Sequence, residues 1–360
     1  MSHSWSIRRS AGWYRGTQKA VGAAVACLLS TGVMVGAVGL VAPVAPAAAA
    51  TSMSLGVLEA DYRYLAGDQA AGISNASINL SWANWETTPG VFNSTYIQSI
   101  QAAVQRYRAA GWNVTVDVGL QQGPSWLLQG AGSELVDQRG GLSGTADFEF
   151  SAAVRAAASA YISNVVTSMP GVSGYRIGLS ENGETLYPDT SSNQWWAFAP
   201  QAQTAGADLP VTVGANPMAG WIPGTTTWNG APVTSTQAQT WYSWYSGALV
   251  DAHAWEMSTF RHAGFAGTLD LVMPGMGALP GPMNQRLAAD LAPGPYDSYS
   301  TLNTGAVWWK FLDSLPSLAN TVVDISSVYD GSGSPRGNTC QAGDSAVAYT
   351  DPQVYSWSDT

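Results

Sequence analysis

The chain has 360 residues, of which 46% are hydrophobic and only 11% charged, with 24 acidic against 14 basic side chains and a formal charge of −10. An acidic chain of this kind is a poor partner for nucleic acid and for anionic membrane surfaces, because both are recognised by basic surfaces. The length is sufficient for one large domain or two small ones.

The first fifty residues have the order of a secretory signal. Four basic residues precede an apolar run over residues 21–41, which is followed by small residues ending in Ala48-Ala49-Ala50. This order predicts a signal peptide over residues 1–50, and hence a secreted, extracellular protein without membrane contact after cleavage. An uncleaved membrane anchor is the alternative, since about 20 apolar residues span a bilayer. Cleavage leaves 10 basic against 24 acidic residues, a formal charge of −14.

Beyond the signal, short apolar runs alternate with longer stretches of helical periodicity. Each run predicts a buried parallel strand, because it lacks the in/out alternation of a strand with one solvated face. The runs cover residues 55–58, 78–80, 114–120, 175–179, 269–273 and 322–325. Between them, apolar residues recur at three- and four-residue spacing, as at Ile97, Ile100 and Val104, which predicts amphipathic helices. Longer helices are predicted over residues 238–262 and 302–315.

This repeating strand and helix order predicts an α/β fold, either a doubly wound sheet or a closed (β/α)8 TIM barrel. No Gly-x-Gly-x-x-Gly follows the first strand, which favours the barrel. Two Gly-rich stretches, residues 129–145 and 204–236, follow the third and fourth strands, where barrel enzymes carry substrate-binding loops. Only six strands precede Cys340, so we expect an incomplete barrel over residues 51–360, C-terminally truncated after about six βα units. A miscount of the strands is the alternative.

The segment directly after the fourth predicted strand carries the strongest chemical signal. It runs from Gly178 to Pro188, and its polar and aromatic members are Glu181, Asn182, Glu184 and Tyr187. Two carboxyl groups at the mouth of a barrel suit glycosidic cleavage, in which one of them must stay protonated to donate to the leaving oxygen. An aromatic wall raises the pKa of such an acid, and Tyr187 and Trp195-Trp196 are close enough in sequence to supply it. We predict Glu184 as the general acid and keep Glu181 as the alternative acid. Exposed loop carboxylates are the competing interpretation for both.

Three segments resemble known families. The pattern Gly-Leu-x-x-x-Gly-Glu-x-x-Tyr-Pro over residues 178–188 is similar to the fourth-strand segment of β-amylases, in which the glutamate after the glycine is the general acid. Residues 82–92, Trp-Ala-Asn-Trp-Glu-Thr-Thr-Pro-Gly-Val-Phe, resemble the Trp…Glu-Pro…Gly-x-Phe loop of glycoside hydrolase family 42 and its barrel clan. Residues 119–126, Gly-Leu-Gln-Gln-Gly-Pro-Ser-Trp, resemble the third-strand end of that clan. The clan ends strand four with Asn then Glu, whereas this chain has Glu181 then Asn182.

The resemblance implies a glycoside hydrolase that cleaves the O-glycosidic bonds of a β-linked oligo- or polysaccharide, galactoside-like first, with Glu184 as acid/base in a double displacement. An inverting α-glucan hydrolase of β-amylase type and a non-catalytic carbohydrate-binding barrel fragment remain open as alternatives. In the resembling families the second carboxylate lies on strand seven, which we expect beyond Thr360. If the strands are miscounted, the acids available for that role are Asp117, Asp270, Asp324 and Asp330.

Aromatic and amide side chains near the predicted strand ends are candidate substrate-binding residues. Flat rings pack well on the C–H faces of sugars, and amides hydrogen-bond to sugar hydroxyls. The stacking candidates are Trp82, Trp85, Trp126 and Tyr187, and the amide candidates are Gln121, Gln122 and Asn182. Core packing is the alternative role for any single tryptophan.

No metal or cofactor is predicted from the sequence. After cleavage the chain keeps two histidines, His253 and His262, and neither has a cysteine at ligand spacing. Cys340 is then the only cysteine, so no disulfide can form within the chain. A phosphate-binding loop and a Gly-x-Ser-x-Gly nucleophile elbow are both absent from the sequence, which leaves carboxylate chemistry without a competitor.

Overall fold

The computed structural model contains a curled half-barrel sheet of six parallel strands with helices between them. It describes residues 54–180, 183–188, 194–274, 276–277, 302–305, 307–315, 319–325 and 355–356. The predicted signal peptide, Asp330 and Cys340 lie outside these residues. Within the described part, no helix has the length and apolar character needed to cross a bilayer.

The six strands stand in the sheet in the order in which they occur along the chain. They are β1 Leu55–Val57, β2 Ile73–Asn79, β3 Asn113–Asp117, β4 Gly174–Ile177, β5 Thr268–Met273 and β6 Thr321–Ile325. All neighbouring pairs are parallel, so every carboxyl end lies at the same edge. The barrel-type α/β prediction is therefore confirmed for these six strands.

Helices connect the strands and cover the outside of the sheet. They are α1 Leu65–Ala70, α2 Trp82–Trp85, α3 Ser94–Ala109, α4 Ser125–Leu128, α5 Ala152–Ser168, α6 Pro200–Gln203, α7 Ser235–His262 and α8 Trp308–Ser314. The longest, α7, begins with a capping box in which Thr234 and Gln237 satisfy each other's backbone N–H groups. The helix predicted over residues 302–315 is shorter than expected, since residues 302–305 form a turn.

Each Gly-rich connection contains a short antiparallel hairpin. Glu134–Val136 pairs with Leu142–Ala146 after the third strand. After the fourth strand, Thr227–Trp228 pairs with Ala231–Pro232. A third hairpin, Glu86–Thr88 with Val91–Phe92, follows the second strand. These hairpins give the long loops a fixed backbone above the sheet.

One arginine links α7 to the starts of the last two strands. The guanidinium of Arg261 donates to the carbonyls of Phe265 and Gly267 at 3.0 and 2.7 Å, just before β5. It also donates to Ala319 and Asn320 at 3.1 and 3.2 Å, just before β6. Four main-chain carbonyls are thereby satisfied by one side chain.

The two faces of the sheet have opposite chemistry. The outer face carries apolar side chains that the helices cover, and Tyr175 of β4 stacks on Phe260 of α7 with ring centroids 4.7 Å apart. The inner face lines a cavity of about 760 Å³ whose polar lining includes Asn75, Ser77, Thr115, Arg176, Asp270 and Asp324. The interior of an ordinary barrel is filled by branched apolar side chains instead.

Candidate active site

Glu184 lies at the carboxyl edge of the sheet, in the tight loop that follows β4. Its backbone N–H donates to Ser180 Oγ at 3.0 Å, and its carbonyl accepts from the N–H groups of Leu179 and Ser180, each at 3.2 Å. The next residue, Thr185, donates its N–H to the carbonyl of Val272 on β5 at 2.9 Å. Glu184 is half-buried. The loop is therefore closed on itself by hydrogen bonds and tied to β5, while Glu184 is only half-buried.

Two glycines of this loop are required by its geometry. A Cβ on Gly178 would collide with the carbonyl oxygen of Gly183, because the two ends of the loop touch there. Gly183 has φ +71, a left-handed conformation that glycine adopts without strain. These requirements account for both glycines of the β-amylase-like pattern.

Asp117, the last residue of β3, lies against the same loop. A Cβ placed on Gly183 would lie 3.3 Å from Asp117 Oδ2 and 3.7 Å from Gln121 Nε2. Asp117 is buried, accepts the N–H of Gly119 at 2.8 Å through Oδ1, and accepts Gln121 Nε2 at 3.3 Å through Oδ2. Among the three described acids considered for the second carboxylate, Asp117 is the one that approaches the loop of Glu184, at Gly183.

The other three acids are placed differently. Asp270 and Asp324 point into the cavity inside the sheet, where Arg176 Nη2 lies 3.8 Å from Asp324 Oδ2. Burial raises the pKa of Asp270 to about 6, and the charge of Asp324 acts in the same direction. Asp330 lies outside the described residues, as do Glu181 and Asn182 of the loop itself.

A buried histidine and a buried glutamate of α7 lie beneath the loop. His253 is fully buried; its Nδ1 lies 2.8 Å from the carbonyl of Leu249, and the carbonyl of Glu184 also faces the ring. Burial lowers the pKa of His253 to about 4, so the ring is neutral at pH 7. Burial raises the pKa of Glu256 well above its usual range; the charge of Asp117 adds to this, and the N–H of Gly178 opposes it. Glu256 thus supports the main chain of the loop at Gly178.

The sequence interpretation did not single out Glu256, although a signal for it was present. Leu249, His253, Glu256 and Phe260 are spaced by three or four residues and share one face of α7. The other three are well suited to burial, so a carboxyl group between them is expected to be buried as well.

Another acidic pair is buried in the loop that leads to α5. Asp147 accepts Phe150 N–H at 2.7 Å and Gln201 Nε2 at 2.9 Å, and burial raises its pKa to about 7. Burial and the charge of Asp147 raise the pKa of Glu149 to about 8. Arg155 Nη1 lies nearby and pairs with Asp251 at 2.8 Å. These acids lie within the packed interior and were not predicted from the sequence.

The predicted tryptophan platforms of the second-strand loop lie in the core. Trp82 and Trp85 are both fully buried; Trp82 stacks on Tyr161 at 4.8 Å, and Trp85 Nε1 donates to Asn164 at 2.8 Å. Glu86 holds this loop by accepting Trp82 Nε1 at 2.8 Å and the N–H of Gly90 at 2.7 Å. With no open ring face, these two tryptophans pack the loop instead of presenting a surface to a sugar.

Trp126, Gln121 and Gln122 remain accessible at the third-strand end. Trp126 is half-buried, lies edge-on to Trp82, and donates Nε1 to the carbonyl of Glu86 at 3.1 Å. Gln121 and Gln122 both line the cavity of the inner face next to Asp117. The structure therefore brings both glutamines to the same edge as Glu184.

The predicted aromatic wall is present, but as buried packing behind the loop. Tyr187 is fully buried, stacks on Tyr245 at 4.2 Å, and donates its hydroxyl to the carbonyl of Tyr245 at 3.0 Å. Trp195 and Trp196 are equally buried, and Trp195 lies edge-on to Tyr245. Tyr187 thus supports the loop and offers no exposed face for stacking.

A metal site is not apparent in the part of the chain that the structure describes, where no group of three or more His, Cys, Asp or Glu residues is arranged to hold an ion. The polar residues that the structure places at the carboxyl edge are Glu184, Asp117 and Gln121. A carboxyl group on a half-buried residue at this edge can donate and accept protons.

Comparisons with known proteins show the fold. No protein family and no curated protein matches the chain. The catalytic domain of a β-amylase from Paenibacillus polymyxa is similar with a TM-score of 0.53 and 14% identity, over 82% of this chain and 83% of that one. At this identity the likeness establishes the barrel-type fold, in agreement with the half-barrel sheet.

Two β-galactosidases are similar over a smaller share of their own length. The enzyme from the haloarchaeon Halorubrum lacusprofundi has a TM-score of 0.48 and 16% identity, over 80% of this chain and 42% of its own. The enzyme from Marinomonas ef1 has a TM-score of 0.45 and 13% identity, over 62% of this chain and 37% of its own. The chain thus spans less than half the length of either galactosidase.

Proposed function

We propose that the protein is a secreted glycoside hydrolase in which Glu184 is the general acid/base. The observation that carries the proposal is the position of Glu184: a half-buried glutamate at the carboxyl edge of a parallel barrel-type sheet, on a loop that is closed by hydrogen bonds to Leu179 and Ser180 and tied to β5 by the neighbouring Thr185. Catalytic residues of barrel enzymes occupy this edge. The catalytic domain of a β-amylase is among the solved structures with a similar fold.

In the proposed reaction Glu184 protonates the glycosidic oxygen as the bond to the anomeric carbon breaks, and positive charge develops on the sugar ring. Asp117 is the candidate for the second carboxylate. It accepts hydrogen bonds from Gly119 N–H and Gln121 Nε2, which fix its orientation beside the loop of Glu184. A carboxylate in this role stabilises the charge that develops on the sugar ring. A β-linked oligo- or polysaccharide is the substrate that the sequence resemblance favours.

A second candidate is an inverting α-glucan hydrolase. It is favoured by the β-amylase-like pattern of residues 178–188 together with the fold likeness to a β-amylase. The two candidates differ in the anomer that is released first, since double displacement retains the configuration and single displacement inverts it.

The test is hydrolysis by the secreted full chain. Aryl β-galactosides, aryl β-glucosides and maltooligosaccharides are offered to the wild type and to the Glu184→Gln, Asp117→Asn and Glu134→Gln variants. We expect Glu184→Gln to lose about 10²- to 10⁴-fold in rate, the usual contribution of a positioned general acid, and Glu134→Gln to be unchanged. For Glu184→Ala, the loss is expected to be smallest on aryl glycosides with the most acidic leaving group, which needs no protonation.

Proton NMR of the first product assigns retention or inversion. Equal activity of the wild type and Glu184→Gln would remove Glu184 from the mechanism. Absence of hydrolysis on every substrate, with sugar binding retained, would identify a non-catalytic carbohydrate-binding barrel.

A further inference from the structure

The cavity on the inner face of the sheet is lined by several side chains that each have an unpaired polar atom. Four of its lining residues carry a buried polar atom without a hydrogen bond in the described structure: Ser77 Oγ, Gln121 Oε1, Arg176 Nε and Asp270 Oδ1. The great majority of buried polar groups in folded proteins are paired. Four unpaired atoms around one space of about 760 Å³ indicate that the space holds a polar occupant.

The charge of the lining excludes an anion. Glu59, Asp117, Asp270 and Asp324 face the cavity, and Arg176 is the one cation among its lining residues in the described part of the chain. Four acids against one arginine repel phosphate or sulfate, and Arg176 already lies 3.8 Å from Asp324. An apolar ligand is also excluded, because it would leave the polar atoms without partners.

The pattern of donors and acceptors matches hydroxyl groups. Arg176 Nε is a donor, Gln121 Oε1 is an acceptor, and Ser77 Oγ can do both. Asp270 adds an acceptor when ionised and a donor when protonated. A ligand that both donates and accepts at several points around a compact ring meets all of these requirements, and a pyranose is such a ligand. The volume lies in the range of small-ligand sites, about 300–1,000 Å³.

The cavity is continuous with the candidate active site. Asp117 and Gln121 line the cavity and also lie against Gly183, the residue before Glu184. Val272 lines the cavity too, and its carbonyl accepts the N–H of Thr185, the residue after Glu184. A sugar ring in the cavity therefore lies on the path from the inside of the sheet to the proposed acid.

We propose that the inner face of the half-barrel binds a neutral pyranose, held by Ser77, Gln121, Arg176 and Asp270. The identification of the ligand as a sugar rests on the proposed function. Binding itself is independent of bond cleavage. Asp270 and Arg176 are neighbours across the β4–β5 ladder, so the two side chains present a carboxylate and a guanidinium side by side to adjacent hydroxyls.

The experiment is isothermal titration of the full chain with D-galactose and with D-glucose, and with inorganic phosphate as the anionic control. We expect at least one sugar to bind and phosphate not to bind. Ser77→Ala and Asp270→Asn are expected to weaken sugar binding at least tenfold each. The matched control is Asp208→Asn, an exposed acid outside the cavity, which should leave binding unchanged. Thermal melting of each variant confirms that it is folded, and Ser77→Ala, which removes only a hydroxyl, serves if Asp270→Asn does not fold.

Three results overturn the proposal: no binding of either sugar, which would mean that the cavity holds water alone; sugar binding that neither cavity variant weakens; and phosphate binding tighter than that of the sugars. The proposed hydrolysis fails separately. Glu184→Gln is expected to keep sugar binding while losing hydrolysis. A wild type that binds sugar through Ser77 and Asp270 but cleaves nothing would leave the cavity site standing without the enzyme.

Discussion

The inner and outer faces of the sheet are formed by alternate residues of the same strands, yet the outer residues are mainly apolar and the inner residues mainly polar. Leu271 of β5 is fully buried on the outer face, while its neighbour Asp270 points into the inner cavity. The same alternation places Val116 outside and Thr115 inside on β3. The apolar outer face packs against the helices, whereas the polar inner face lines the cavity.

This division separates stability from recognition. Apolar burial stabilises a fold in proportion to the area removed from water, and the outer face with its covering helices contributes a large part of the buried apolar core. Unpaired polar atoms destabilise a fold unless a ligand or water satisfies them, and four such atoms belong to residues that line the inner cavity. Substitutions on the two faces should therefore affect different measurements.

The largest effect is expected from the outer face of β5. Leu271→Ala should lower the free energy of unfolding by about 2–5 kcal/mol, because it leaves a cavity between the sheet and the helices. Asp270→Asn, one residue away, should change it by less than about 1 kcal/mol at pH 8, since burial disfavours the ionised carboxylate that the amide replaces. Urea denaturation measures both, and equal losses for the two variants would contradict the division of the faces.

A polar group on the helix side gives the next effect. Glu256→Leu removes an acceptor of the Gly178 N–H and should cost about 1–3 kcal/mol, the usual penalty for a buried donor left unpaired. Glu256→Gln keeps a neutral acceptor of nearly the same shape, so its stability should stay within about 1 kcal/mol of the wild type. Thermal unfolding of the pair distinguishes a hydrogen-bonding role from simple packing, which would rank the leucine variant as the more stable one.

The buried acids predict an unusual dependence of stability on pH. Burial raises the pKa of Asp147 to about 7 and that of Glu149 to about 8, so the folded chain binds more protons than the unfolded chain until the pH passes these values. Their contribution is complete below about pH 4 and is lost as the pH rises. His253, with a pKa of about 4, acts in the opposite direction, but only below about pH 6.5.

Asp147 and Glu149 together should therefore lower the free energy of unfolding by about 2 kcal/mol between pH 6.5 and pH 8, and the raised pKa of Glu256 acts in the same direction. Urea denaturation across this range checks the sign. Glu149→Gln should make the fall smaller, while Asp208→Asn, an exposed acid, should leave it unchanged. A flat profile over the same interval would show that these acids are already ionised in the folded protein.

The smallest effect on stability is expected from the inner face. Ser77→Ala removes a buried hydroxyl that has no hydrogen bond in the described structure, so the free energy of unfolding should change by less than about 0.5 kcal/mol or rise slightly. Thermal unfolding without ligand measures this change. A decrease in the free energy of unfolding of more than about 1 kcal/mol would mean that the Ser77 hydroxyl already has a hydrogen-bond partner in the protein. That result would contradict its proposed role as a ligand-binding group.

The strands were predictable because most of them contain short apolar runs. Apolar residues on the outer face, such as Val116 of β3 and Leu271 of β5, contribute to these runs. The second strand was predicted over residues 78–80 and extends over Ile73–Asn79, since Asn75 and Ser77 point inward and make the strand look polar. Strand prediction relied on apolar residues, so it missed the part of the strand whose inner face lines a cavity.

The sequence pattern is most informative about the loop of Glu184 where backbone geometry restricts the residue type. The glycines around Glu184 are dictated by a left-handed turn and a close main-chain approach, and such requirements are visible in a sequence pattern. The tryptophans gave no such information. Trp82 and Trp126 occupy similar positions after neighbouring strands, yet one is buried and the other half-exposed, because burial is decided by the helices that pack over each loop.

The hydrogen bonds of Arg261 affect how α7 and the last two strands unfold. Its guanidinium holds the end of α7 to the starts of both β5 and β6 through four main-chain carbonyls. Neither strand can separate from α7 without breaking several charge-assisted hydrogen bonds at once. The last third of the described sheet and its longest helix should therefore exchange their amide hydrogens as one cooperative unit, and a lysine at this position, with no planar fork, would divide that unit.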